Sequence, residues 1–136
     1  CLDLSFSEGK VNSLEAISVK DKVLSLGEKS TLKINNLSAL KSEMGIVNKD
    51  QSNLFLDKYS FQKVRIPIAS YIKKNEFNSP KLTINFLENE LDNDFLKFIS
   101  KDSLVIIEKK RYFGLSESNN ISDLLYGNLY GVKTKR

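Results

Sequence analysis

Histidine and tryptophan are absent from this 136-residue chain, and cysteine and methionine occur once each. Without histidine there is no imidazole base near neutral pH, no Ser-His-Asp or Cys-His arrangement, and none of the commonest zinc ligand. One cysteine excludes an intramolecular disulfide and, with no histidine, a structural zinc site. The six glycines, at 9, 27, 45, 114, 127 and 131, build no phosphate-cradling loop. Two prolines and so few glycines also exclude a low-complexity or collagen-like chain. Stretches of about eighteen apolar residues, the length of a membrane-spanning helix, are missing. The longest apolar runs, such as Leu104-Val105-Ile106-Ile107, are strand-sized. These absences lead to the expectation of a non-enzymatic protein with no cofactor and no resident metal.

What remains is a chain of ordinary globular composition, 40% hydrophobic and 28% charged, of a length that suits one domain. The net charge of +4 is uneven. Residues 1–60 hold eight lysines against eight acids, whereas residues 101–136 hold seven Lys/Arg against four and end in Lys133-Thr134-Lys135-Arg136. Arginine is confined to Arg65, Arg111 and Arg136. A nucleic-acid footprint usually shows dense clusters in which Arg is prominent, because Arg reads guanine bidentately. A solvated face with a charged tail is therefore the simpler reading of the basic third, and an anionic membrane surface suits it equally well.

The only cysteine is residue 1. A mature chain that starts with Cys resembles the bacterial lipoproteins, in which signal peptidase II cleaves just before a cysteine that then carries diacylglycerol. That resemblance implies lipid attachment at Cys1, a cell-envelope location and, with Leu2 following in place of an acid, the outer membrane. A fainter resemblance links Leu32-Lys33-Ile34-Asn35-Asn36-Leu37 and the later apolar Leu54-Phe55-Leu56 to the outer-membrane lipoprotein of the type VI secretion system. That family implies a transthyretin-like sandwich with an added helix and a protein partner in a membrane-associated assembly.

Residues 1–10 read as a short tether or an edge strand, with one β-rich domain over residues 11–136. Residues 31–37 alternate, with Leu32 and Ile34 on one face and Thr31, Lys33 and Asn35 on the other; this is the signature of a half-buried strand. With 23–26 and the turn at Gly27-Glu28-Lys29, the segment 23–37 reads as a hairpin. Residues 61–72 form the clearest strand; Pro67 removes a ladder donor and so marks an edge or a bulge. Residues 82–86 then alternate and pair back as a second antiparallel hairpin. Leu87, Leu91, Phe95 and Phe98 recur at helical steps, with acids early and lysines late, which predicts a helix over 87–101. Residues 103–108 are apolar on both faces and read as a central strand. Residues 116–120 read as loop, and Gly127-Asn128 as a tight turn. No long repeat is evident. About seven strands and one helix give an antiparallel β-sandwich with a packed helix, with α+β as the alternative. Ile66, Ile84, Phe95 and Ile106 are its expected core.

Two groups invite a functional reading. Glu88, Glu90, Asp92 and Asp94 are too spread along a helix to converge on calcium, and the glycine of a calcium loop is missing. Tyr112, Phe113, Tyr126 and Tyr130 lie among Lys109, Lys110 and Arg111, with Lys133 and Lys135 beyond. Aromatics interleaved with cations can anchor a protein partner or stack bases. The function expected from the sequence is therefore lipid-anchored binding or assembly in a bacterial envelope, of the adaptor or pilot type. The alternatives are a soluble nucleic-acid-binding module that uses the basic C-terminal third, and a small-molecule-binding sandwich.

Overall fold

Ten segments of the chain are extended, and alternation gives most of them one apolar face. In the computed structural model, which describes residues 1–126, they are β1 (Leu2–Ser5), β2 (Glu8–Ile17), β3 (Lys22–Gly27), β4 (Thr31–Leu40), β5 (Met44–Lys49), β6 (Asn53–Gln62), β7 (Ile66–Tyr71), β8 (Lys81–Leu87), β9 (Leu104–Ile107) and β10 (Lys110–Tyr112). A 3-10 helix (Asn93–Phe98) precedes β9, and one α-helix, α1 (Ser118–Tyr126), follows β10.

The strands form two sheets, A in the order β1-β3-β5-β7 and B in the order β2-β4-β6-β8-β9-β10. Every strand pair is parallel except β9 with β10. From β1 to β8 successive strands alternate between the sheets, so each circuit of the chain adds one rung to A and one to B: the fold is a β-solenoid. Leu2, Leu24, Ile46 and Ile68 hold the same place in successive coils, each twenty-two residues from the last. From β6 to β8 the step widens to twenty-eight residues, because residues 72–80 make a longer loop.

This topology corrects the antiparallel β-sandwich. The hairpin expected over 23–37 is two strands in different sheets, joined by a corner at Glu28-Lys29-Ser30. The strand expected over 61–72 is broken by a second corner at Lys63-Val64-Arg65, and β8 pairs parallel to β6 instead of returning along β7. The corners turn on left-handed residues that are not glycine: Glu28 and Lys29 (φ 31° and 60°), Asp50 and Gln51 (52° and 64°), then Ser18, Lys41 and Lys63 (60°, 50° and 54°). Residues 1–10, expected as a tether or an edge strand, hold β1, which is an edge strand of sheet A, and the start of β2. Pro67 does lie on an edge strand, since β7 ends sheet A. In place of a helix over 87–101 stand the end of β8 and the short 3-10 helix, and the α-helix forms where a loop was expected. The Gly127-Asn128 turn lies outside the described residues.

Between the sheets, Leu24, Leu26, Ile46 and Ile68 of A pack with Leu32, Ile34, Leu54, Leu56, Leu82 and Ile84 of B. Tyr59 crosses this core, and its hydroxyl donates to Pro67 O at 2.7 Å. Burial pushes the phenol far above its ordinary pKa. A Cβ at Gly45 would collide with that hydroxyl, so the close passage requires glycine here. The outer face of sheet A carries Met44, Val47, Ile66, Ala69 and Tyr71, covered by Ile121 and Leu125 of α1. Strands β3, β5 and β7 of sheet A are thus buried on both sides and read as near-continuous apolar strands, whereas β1 keeps Asp3 and Ser5 exposed. Sheet B keeps an exposed outer face, which is where Ile106, expected in the core, stands half-buried; Val105 and Ile107 point inward instead. Ile66, Ile84 and Phe95 are buried as expected.

Polar side chains thread the first corner. Asn48 bonds Ser52 Oγ at 2.6 Å and accepts from Ser70 Oγ at 3.0 Å, and Ser103 donates to Ser70 O. Buried Asp50 accepts from the Lys73 and Lys74 amides at 2.7 and 2.8 Å, which ties down the start of the long loop.

Candidate assembly interface

The residues singled out in the sequence fall into separate places. Glu108 and Lys109 (φ 52° and 68°) form the two-residue turn of the β9–β10 hairpin, a conformation in which glycine and asparagine are usual. Lys110, Arg111 and Tyr112 make up β10. Tyr112 turns inward and meets Phe95 edge-on at 5.4 Å, with Lys110 Nζ 5.3 Å from its ring centroid. Arg111 lies over exposed Phe113 at 4.6 Å. Lys109 to Phe113 therefore cluster at one edge of sheet B, while Tyr126 ends α1, which packs on sheet A. Tyr130, Lys133 and Lys135 lie outside the described residues. The carboxylates 88–94 do not converge: Glu88 pairs with Lys58, Asp94 with Lys97, and Asp92 caps the 3-10 helix. Cys1 is exposed and stands directly before β1, its amine donating to Lys22 O at 2.7 Å.

The hairpin and its neighbours close the C-terminal end of the stack. Strand β10 reverses direction against β9 and ends sheet B. On the sheet A side, Ile99 bridges to Ser70 beyond β7, and Phe95 and Ile99 drop into the core between the sheets.

At the other end the geometry is opposite. Strands β1 and β2 are the terminal members of sheets A and B, and each is paired on one side only among the described residues. Parallel pairing leaves alternate backbone N–H and C=O groups of such a strand unused. The interior row of this first coil, Leu2, Leu4, Val11 and Leu14, packs on the core yet is only partly buried, and none of the described strands lies beneath it. Phe6 and Ile17 stand out at either corner, 66% and 67% exposed. Lys10 and Glu15 line the outer side of β2.

None of these residues stood out in the sequence as part of an interface. The signal that would have found them is the recurrence of Leu-x-Leu or Leu-x-Ile pairs, 32/34, 54/56 and 82/84, in step with 24/26. A solenoid has two ends, and each must be capped or used. At the second corner, Lys20, Lys41 and Lys63 surround an open hollow of about 540 Å³ and have no carboxylate partner among the described residues. No protein-family model, curated protein or solved structure matches this chain.

Proposed function

We propose that this chain is a non-enzymatic assembly protein of the adaptor type, whose open first coil takes β-strands from another protein chain as a further rung. The observation that carries the proposal is the pair of strand edges, β1 and β2, that no described residue pairs with, around a half-buried apolar row. Edge addition couples main-chain hydrogen bonds, which give affinity, to side-chain pockets, which give selectivity. Here the selective element is the row Leu2, Leu4, Val11 and Leu14, which gains cover only when a strand with matching inward apolar residues docks. Exposed Phe6 and Ile17 extend the contact at its rims.

A labelled peptide spanning Thr31–Leu40, the strand that β2 already pairs with on its other side, tests the proposal by fluorescence anisotropy. The expected result is saturable binding that Val11→Lys with Leu14→Lys removes, with the circular dichroism spectrum unchanged. Absence of binding at the highest soluble peptide concentration, or binding that ignores the two lysines, contradicts the proposal.

A further inference from the structure

The free edge of β2 is symmetric with itself. Its inward positions are Gly9, Val11, Leu14 and Ala16, and its outward ones Glu8, Lys10, Asn12, Ser13, Glu15 and Ile17. Two adjacent outward residues, Asn12 and Ser13, interrupt the alternation and bend the strand. The same interruption recurs at Asn35-Asn36, Asp57-Lys58 and Asn85-Phe86, so the bend belongs to every coil. Around it the sequence of faces reads identically in both directions: in, out, in, then out twice, then in, out, in.

We propose that the occupant of this end is a second copy of the chain, joined end to end about a two-fold axis through the bend, with β2 antiparallel to its counterpart. The inference rests on the reading of the open end as a strand acceptor. Isologous contacts demand a surface that complements itself, and this one does. With the bend of one copy on the bend of the other, Val11 faces Leu14 of the second copy and Gly9 faces Ala16, all inward. Lys10 then faces Glu15 of the second copy on the outside, and the two-fold repeats that ion pair. Neither Lys10 nor Glu15 has an ion-pair partner within the chain among the described residues, so both are available. A slip of one residue would set inward side chains against outward ones. A slip of two would set a bend against a regular strand. Only one register fits, and it is the one that pairs opposite charges. Pairing also buries the half-covered row of each copy, with Leu2 and Leu4 of β1 in the same plane.

Analytical ultracentrifugation of the 136-residue chain across a wide concentration range tests this, with charge reversals at the paired positions. The wild type is expected to dimerise. Lys10→Glu and Glu15→Lys, which each set like charges opposite one another twice per dimer, should weaken the dimer tenfold or more, and the double reversal should restore it. A chain that stays monomeric throughout overturns the second copy as occupant while leaving peptide binding at the open end to be judged by itself. A dimer indifferent to both single reversals, with native circular dichroism, overturns it too, because the copies then meet elsewhere. If neither the peptide nor a second copy binds, the strand-acceptor reading itself fails.

Discussion

The C-terminal end of the solenoid finishes sheet B with the short, charged, antiparallel β10 and covers sheet A with the 3-10 helix and α1, whereas among the described residues the N-terminal end leaves the longer parallel strand β2, with β1, as bare edges. Both ends present the same kind of coil, yet among the described residues only one carries elements that break the repeat. Parallel coils cannot end themselves, since each rung offers the next the same edge it used for the last. Closing the stack takes an element that breaks the repeat. Here strand reversal at Glu108-Lys109 and a plug of Phe95 and Ile99 do so. The first coil has charged residues on its outer face but none of the described residues over its apolar row, which leaves that row able to accept further chain.

The largest difference between the ends should appear on truncating their apolar residues. Phe95→Ala removes the buried plug of the closed end and should lower unfolding stability by about 3–5 kcal/mol, as measured by urea titration. Leu14→Ala, at the half-covered row, should cost well under half of that at concentrations where the chain is monomeric. Equal losses would mean the two ends are equally covered. Next in size is Asp50→Ala, which leaves the Lys73 and Lys74 amides without their acceptor at the start of the loop leading toward the closed end. A loss of about 1–3 kcal/mol is expected from thermal or urea unfolding, and a neutral change would show that water replaces the carboxylate freely. The smallest effect concerns the corners that both ends share. Lys63 sits at φ 54°, so Lys63→Gly should be neutral or stabilising by about 1 kcal/mol, while Lys63→Val should be clearly destabilising. A valine tolerated as well as glycine would mean that this corner is not left-handed.

Strands were legible in the sequence where alternation was clean, as at residues 31–37 and 82–86, and Pro67 correctly marked an edge. Their pairing was not, because a strand with one apolar face alternates identically in an antiparallel hairpin and in a parallel coil. What tells the two apart is the connection, and the left-handed positions of the corners, Glu28, Lys29 and Lys63, are neither the glycine nor the asparagine that such turns favour. Leu87, Leu91, Phe95 and Phe98 kept helical spacing for another reason: the last two lie on a 3-10 helix packed over the core. Ile121 and Leu125, four apart within a polar stretch, were the true helical pair. The candidate interface was hidden along with the repeat, since Val11 and Leu14 matter only once β2 is recognised as the first rung of sheet B.

Amide hydrogen exchange along β2, at a concentration where the chain is monomeric, tests the open edge most directly. Strand β4 is bonded on both sides, so its amides should be protected throughout its length. Strand β2 is bonded on one side only, so protected and fast-exchanging amides should alternate along it, apart from the bend at Asn12-Ser13, and the fast ones should slow when peptide or a second copy is added. Uniform protection along β2 in the monomer would contradict the account, because another part of the chain would then already cover the edge.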